Sequence, residues 1–237
     1  AMKPYVAIGG SDPLSLKGAL LFYEGRGRAF VTWHEAKPSP HGGVALGEAR
    51  ELTTEFIRRL AQGLGTDAPA EVLPPTVLAW TGDLSVWWTP RAVRRMYFRP
   101  NSEAPTGLSG EMFSQPPLVW KVAGAELSVR ALRKNQRPSA DTPLMIAPYW
   151  NTDGDSGVVC QGSMRAPEAG GVAAVAAWEK AFFQSEFTHQ TGVKKLLAAK
   201  RGYFQTLEAL KGGHHRFPTE SLMPAAETLA EFIQRNR

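Results

Sequence analysis

The chain from residue 72 to residue 132 consists of short apolar, aromatic and β-branched runs that are separated by turn signals. These signals are Gly82-Asp83, Pro90 and the long stretch 100–117, and runs this short favour strands over helices. Consecutive strands joined by turns pair in antiparallel fashion, so the pattern predicts an antiparallel β-meander. The predicted strands cover residues 77–80, 84–88, 94–98, 118–122 and 126–132.

Hairpin and helix patterns lie on either side of the predicted meander. Residues 18–34 form apolar runs broken by Gly25-Arg26-Gly27, which predicts a hairpin. Residues 46–64 carry apolar side chains at helical spacing, and residues 172–187 place a second apolar face that would pack across a sheet. Further helices are predicted at residues 193–210 and 225–236.

Together these elements predict an α+β protein. The expected single domain spans residues 1–237, with a core of about residues 72–190 and a C-terminal helical extension of about residues 191–237. The 237 residues, 43% of them hydrophobic, are enough to bury such a core. No run approaches the roughly 20 apolar residues of a transmembrane helix, and the N-terminus lacks a secretory layout. The expectation is a cytoplasmic protein without a membrane partner.

The charged residues argue against nucleic acid as a partner. The 27 Lys and Arg exceed the 22 Asp and Glu, giving a net charge of +5, but the basic residues are spread along the chain. Two local groups exist, Arg91-Arg94-Arg95-Arg99 and Arg130-Arg133-Lys134-Arg137. Each is predicted to be a solvated face or a surface for an acidic protein. Scattered histidines and the lack of a phosphate-binding fingerprint predict no metal and no cofactor.

The single cysteine lies directly after a stretch of turn-forming residues. Residues 151–157 include Asn151, Asp153 and Gly157, which tolerate positive φ or bond their own backbone, so an exposed loop is expected. Val158-Val159-Cys160 is too short for a helix and predicts an extended segment that ends at the thiol. As a thiolate, Cys160 would be a nucleophile. Alternatively, a cysteine beside two valines is a small packing residue.

This segment resembles the active-site segment of the ubiquitin-conjugating (E2) superfamily. Tyr149-Trp150-Asn151 stands where those enzymes usually carry His-Pro-Asn, and Gly157-Val158-Val159-Cys160 matches the stretch that ends in the thioester-forming cysteine. A closer resemblance is to the PRTRC system protein B family, also called prokaryotic E2 family D, which is bacterial. Its matching blocks are Leu73-Pro74-Pro75, Trp87-Trp88, Leu108-Ser109-Gly110, residues 137–144, Ala147-Pro148-Tyr149 and residues 178–189.

The resemblance implies an E2-like meander packed with helices and elaborated at both ends. It also implies a carrier that accepts a ubiquitin-like protein on Cys160 from a ThiF/E1-like enzyme and passes it to an amine. By the same resemblance, Asn151 is either an oxyanion donor or a residue that only orders its loop. Tyr149, Trp150 and Asp153 are supporting residues, and the JAB-like peptidase of the same gene cassette is a further candidate partner.

Two alternatives remain open from the residues alone. His189 follows the predicted helix at 172–187, where it would orient or deprotonate a group near Cys160 or would cap the helix C-terminus. The whole chain is either the carrier described above or a catalytically inactive E2-like interaction module, in which Cys160 packs and does not react.

Overall fold

A computed structural model describes most of the chain in two compact units, Ala1–Glu71 and Val72–Arg237. The described residues are 16–25, 28–40, 43–63, 72–81, 83–99, 104–167, 172–190, 192–193 and 195–235. No helix within these ranges has both the length and the apolar content needed to cross a bilayer.

The described residues of the first unit form a three-stranded antiparallel sheet and one helix. Its elements are β1 (Gly18–Gly25), β2 (Arg28–Pro38), β3 (Val44–Arg50) and α1 (Thr54–Gly63). The predicted hairpin is confirmed, because β1 and β2 pair from Gly18 with Glu35 to Gly25 with Arg28.

The helix predicted at residues 46–64 is wrong in its first part. Leu46 pairs with Ala36 of β2, so the start of the predicted helix is strand β3. The helix begins after Thr53, whose hydroxyl accepts the Phe56 amide at 3.1 Å and satisfies a donor of the first turn. The Phe56 ring then packs 4.7 Å from the Trp33 ring, which holds α1 on the sheet.

The described residues of the second unit form two sheets and three α-helices. In chain order its elements are β4 (Val77–Trp80), β5 (Leu84–Thr89), β6 (Ala92–Phe98), β7 (Glu111–Gln115), β8 (Leu118–Ala123), β9 (Glu126–Ala131), β10 (Pro143–Ile146), α2 (Val175–Gln184), β11 (Glu186–Phe187), α3 (Tyr203–Leu210), β12 (Pro224–Thr228) and α4 (Leu229–Gln234). The larger sheet has the order β12-β10-β9-β8-β5-β4, and the smaller one has the order β11-β6-β7.

The predicted strands of the meander are present, but they do not form one sheet. Strand β6 leaves the larger sheet and pairs with β7, which lies inside the stretch predicted to be a loop. Strand β7 buries Phe113 fully, and its Gln115 side chain is also buried. On its other side β6 pairs in parallel with the two residues of β11, directly after α2.

The C-terminal region is less helical than the sequence predicts. The helix expected at residues 193–210 begins only at Tyr203, after Gly202 at φ +79°. Residues 225–228 belong to β12 instead of the predicted last helix, and α4 follows after a capping box between Thr228 and Glu231. Thr228 and Glu231 satisfy each other's backbone donors, which fixes the start of α4 at Leu229.

The larger sheet is covered on both faces. On one face, Trp178, Phe182 and Phe183 of α2 pack against an aromatic core that includes Trp87 and Trp120. The predicted face of this helix is therefore confirmed. On the other face, Leu229 and Phe232 of α4 join a second cluster with Val86, Val119, Leu132 and Leu144. Trp88 is partly buried against this second cluster, so both adjacent tryptophans are packing residues.

Candidate functional site

The cysteine segment runs beside β9 as an added piece of the larger sheet. Val129 donates its amide to the Gly157 carbonyl at 2.8 Å, and Val159 donates to the Leu127 carbonyl at 2.8 Å. These bonds end at Val159, whose side chain is buried, and the next residue, Cys160, is exposed. The extended segment predicted from the sequence is confirmed, with the thiol at its accessible end.

The loop before the segment is more buried than expected. The prediction of an exposed loop at residues 151–157 is wrong, because Asn151 is 3% exposed, Thr152 is 0% exposed, and of the seven residues only Asp155 is exposed. The Cys160 amide donates to the Asn151 carbonyl at 2.7 Å, and Thr152 pairs with Val159 as an antiparallel bridge. The loop therefore folds back along the cysteine segment as a small hairpin.

Asn151 fastens this hairpin to the strand that follows α2. Its Nδ2 donates to the Glu186 carbonyl at 2.7 Å, and its Oδ1 accepts from the Thr188 amide at 3.1 Å and the Thr188 hydroxyl at 2.7 Å. Its φ of +62° is a left-handed conformation that asparagine tolerates better than most residues. These contacts are those of a residue that orders the loop.

Asp153 shapes the turn inside the hairpin. Its Oδ1 accepts from the Ser156 amide and from the Ser156 hydroxyl, each at 2.7 Å. The bond from the Ser156 amide is the main cause that lowers the pKa of the Asp153 carboxyl below its usual value. Gly157 completes the turn by donating its amide to the Asp153 carbonyl at 2.7 Å.

Tyr149 and Trp150 are buried at the base of the site. The Tyr149 hydroxyl donates to Gln115 Oε1 at 2.8 Å, and burial is the main cause that raises the pKa of this phenol well above 10.0. The Trp150 ring lies 6.3 Å from the Tyr203 ring in a stacked arrangement. Both residues brace the chain just before the hairpin.

His189 reaches the hairpin through its backbone. Its carbonyl accepts from the Asn151 amide at 3.0 Å, and its exposed ring shares a hydrogen bond of 2.8 Å between Nδ1 and the Thr188 hydroxyl. The alternative that His189 caps a helix is wrong, because α2 ends at Gln184 and β11 lies between them. The His189 backbone therefore binds the hairpin, and the side chain of His189 forms its hydrogen bond with Thr188.

A buried arginine, Arg130, supports the turn from below. The Arg130 side chain is 0% exposed, and its Nη1 and Nη2 donate to the carbonyls of Gly154 and Asp155 at 2.9 and 2.5 Å. Burial is the main cause that lowers the pKa of this guanidinium. A buried guanidinium requires a compensating carboxylate.

Glu227 of β12 supplies that carboxylate. Its Oε1 accepts from Arg130 Nε at 2.6 Å, and its carboxylate also pairs with Arg235 Nη1 at 3.0 Å. Arg235 in turn donates to the Ser156 carbonyl. Three successive carbonyls of the turn, from Gly154 to Ser156, are therefore bound by two arginines that share one carboxylate.

The sequence contains one hint of this network, the polar residue Arg130 inside a run that otherwise predicts a strand. The prediction that Arg130-Arg133-Lys134-Arg137 is a solvated face or a surface for an acidic protein is wrong for Arg130, whose side chain is 0% exposed. The turn at Gly154–Ser156 covers this side chain and places it in the interior. Within the described ranges, no group of three or more His, Cys, Asp and Glu side chains is arranged to hold a metal ion.

Comparison with known proteins gives one family. The family model described as Prokaryotic E2 family D matches residues 54–225, which includes α1, the whole cysteine hairpin and α2. No curated protein matches the chain, and neither does any solved structure.

Proposed function

Because the chain belongs to prokaryotic E2 family D, we propose that it is an E2-like carrier of a ubiquitin-like protein. A ThiF/E1-like enzyme, which uses ATP, activates the C-terminal glycine of the ubiquitin-like protein. Cys160 accepts this acyl group as a thioester and passes it to an amine. The observation that carries the proposal is that the single cysteine is exposed at the end of a firmly hydrogen-bonded segment.

The reaction consists of two acyl transfers. In the first, the activating enzyme holds the ubiquitin-like protein as a thioester. The Cys160 thiolate attacks the carbonyl of its C-terminal glycine, the new carbon–sulfur bond forms, and the thiolate of the activating enzyme leaves. In the second, an amine attacks the same carbonyl, an amide bond forms, and Cys160 leaves as thiolate while the amine gives up its proton to solvent. No oxidant or reductant is needed, and the thiolate is the reacting form in both steps.

In this proposal the protein promotes the reaction by holding the cysteine segment in place. The hairpin holds the Cys160 backbone through the Asn151 carbonyl, and the Arg130 network fixes the turn from which the segment starts. A nucleophile held in one orientation needs less ordering in the transition state. The main-chain N–H groups of Gln161 and Gly162, which follow the thiol on exposed residues, are the proposed donors to the oxyanion.

Asn151 has a positioning role in this proposal. Its carboxamide oxygen accepts twice from Thr188, and its nitrogen donates to Glu186, so the side chain is directed toward β11 and is buried. Asn151 therefore orders the loop, and the stabilisation of the oxyanion falls to the backbone.

The test is to mix the protein with the ubiquitin-like protein and the ThiF-like enzyme of its cassette and ATP, followed by a non-reducing gel. The wild type is expected to form an adduct that a thiol reductant removes. Cys160→Ser is expected to form an oxyester adduct that resists the reductant, and Cys160→Ala is expected to form none.

A charged and active ThiF-like enzyme that yields no adduct with the wild type would contradict the carrier proposal. The interaction-module alternative would then be the better account. A pull-down with the wild type would then test the module, because a module is expected to bind the ubiquitin-like protein without forming an adduct. Equal adducts in the wild type and in Cys160→Ala would assign the acyl group to a different residue.

A further inference from the structure

Strand β6 presents a one-sided row of exposed residues. Because side chains alternate along a strand, every second residue shares a face. Here the alternate residues are all exposed, and they are Arg91, Val93, Arg95, Tyr97 and Arg99. Val93 is 41% exposed and Tyr97 is 36% exposed, so two apolar surfaces lie between three arginines.

A groove of about 380 Å³ adjoins this row between β6 and α2. Its lining includes Arg95, Tyr97 and Lys180, and Glu179 is the one carboxylate among its described lining residues. Glu179 is already engaged, because it accepts from Arg94 at 3.0 Å and from Trp87 at 3.1 Å. Arg95 donates to the Gly110 carbonyl, a neutral group, so its charge is not balanced there.

A second groove of about 380 Å³ lies on the other flank of α2. Lys180 and Gln184 line both grooves, and the second one also includes Ser163 and Arg165. None of its described lining residues is a carboxylate. Among the described residues, no ion pair is recorded for Arg95, Arg165 or Lys180.

The second groove is continuous with the cysteine segment. Ser163 lies three residues after Cys160, and its hydroxyl accepts the Glu186 amide at 2.8 Å, which ties the segment to β11. The cations therefore run from the segment that carries the thiol, across α2, to the outer face of β6. We call this surface the basic band, and its cations are Arg165, Lys180, Arg95, Arg91 and Arg99.

We propose that the basic band docks the acidic surface of a protein partner. Unbalanced cations favour a partner of opposite charge and speed its encounter. Arginine and tyrosine are the residues that most often dominate protein interfaces, and exposed Val93 adds apolar area between the charges. Single-stranded nucleic acid would be better served by several stacking aromatics, and the row on β6 offers only Tyr97.

The proposal concerns binding alone, so it goes beyond acyl transfer and does not depend on Cys160. The experiment therefore uses the Cys160→Ala chain. Fluorescein-labelled poly-L-glutamate serves as the acidic polypeptide probe, and its anisotropy is titrated at about 50 mM and 300 mM salt, which changes the screening length. Arg95→Glu with Lys180→Glu removes the centre of the band, and Lys195→Glu with Arg201→Glu changes the net charge equally at exposed positions outside it.

The band variant is expected to bind the probe at least about tenfold more weakly than the parent, and the control variant within about twofold of it. Binding by the parent is expected to weaken at the higher salt. An equal loss in the two variants, or no binding by the parent at the lower salt, would overturn the proposal. Tighter binding of an oligothymidylate probe through the same residues would also overturn it, and would assign the band to nucleic acid.

Circular dichroism and thermal unfolding establish that each variant is folded. If the charge reversals unfold the chain, Arg95→Gln with Lys180→Gln replaces them, since glutamine keeps most of the side-chain length without the charge. This neutral variant is expected to lose about threefold or more in affinity. Affinity unchanged from the parent would contradict the proposal.

Discussion

Arg130 and Glu227 lie 97 residues apart in the sequence and are joined by a hydrogen bond of 2.6 Å from Nε to Oε1. Both side chains are nearly removed from solvent, at 0% and 11% exposure. This pair connects the strand beneath the cysteine hairpin to β12, and through Arg235 it also reaches the Ser156 carbonyl. The geometry of the candidate site thus depends on a residue far from it in the chain.

Replacing Glu227 by Gln is expected to lower the free energy of unfolding by about 3 kcal/mol. The substitution leaves the buried Arg130 guanidinium without its counter-charge, and breaking one side of a buried pair is costly. Urea denaturation at neutral pH measures the change. Glu208→Gln, at an exposed position, is the matched control and is expected to stay within about 0.5 kcal/mol of the wild type. A similar small loss at Glu227 would mean that the network contributes little.

Gly157→Ala tests how closely the turn fits against β9. A Cβ at Gly157 would lie 2.9 Å from the Val129 carbonyl oxygen and 3.1 Å from Arg130 Cζ. Gly110 has a similar φ, +81° against +76°, but a Cβ there meets nothing within 4 Å. Gly110→Ala is therefore expected to cost about 1 kcal/mol for the left-handed backbone alone. Gly157→Ala is expected to cost about 1–3 kcal/mol more.

The difference between these two variants isolates the close approach, because both carry the same backbone penalty. Chemical denaturation gives the two free energies, and alkylation of Cys160 reports whether the turn has moved. Equal losses of unfolding free energy for Gly157→Ala and Gly110→Ala would show that the backbone at Val129 moves away from the added Cβ without strain.

Asn151→Ala is expected to lower stability by about 2–4 kcal/mol. It removes the bonds to Glu186 and Thr188 and places alanine at φ +62°. Asn151→Gly loses the same bonds without the backbone penalty, so it is expected to be about 1 kcal/mol more stable than Asn151→Ala. Urea titration of both variants measures these values. Unchanged stability with a large loss of thioester formation would instead make Asn151 an oxyanion donor.

The raised pKa of Tyr149 predicts that the chain loses stability at high pH. Burial raises the pKa of this phenol in the folded chain, whereas an unfolded tyrosine ionises near 10.0. Below pH 10 the Tyr149 phenol is protonated in both the folded and the unfolded chain, so its contribution to the free energy of unfolding is fully present. Above pH 10 the unfolded chain releases its proton first, and the free energy of unfolding falls by about 1.4 kcal/mol per pH unit for this group.

Urea denaturation at pH 8, 10 and 11 measures this decline. Tyr149→Phe is expected to be about 1–2 kcal/mol less stable at pH 8, because Gln115 loses its donor, and to decline less steeply above pH 10. Tyr97→Phe, at an exposed position, is expected to keep the wild-type slope. Equal slopes for Tyr149→Phe and the wild type would contradict the assigned cause.

The sequence predicted elements whose signal is local. The hairpin around Gly25, the apolar face of α2 and the extended segment at Cys160 depend on neighbouring residues, and all three are present. Strand β7 was missed because its run of five residues lies between glycine and proline signals and has little apolar content. The helix predicted at residue 193 failed because Gly202 sets a later start.

The site itself was only partly predictable. Turn chemistry located a turn before the cysteine but did not predict that it folds back as a buried hairpin, and family resemblance pointed to Cys160 and Asn151. The burial of Asn151 could not be read from sequence, since it depends on Glu186 and Thr188, which α2 brings to it. The pairing of Arg130 with Glu227 spans 97 residues and leaves no periodic signal.

The Arg235 contact has a consequence for the synthesis of the chain. Arg235 follows Ser156, whose carbonyl it binds, by 79 residues. At about 5–20 residues per second, a ribosome needs roughly 4–16 s to add that stretch. During those seconds the cysteine and its turn have already been translated, but the residues that clamp the turn do not yet exist. The thiol therefore reaches its final setting only after Arg235 has been translated, and until then the nascent chain presents it without that support.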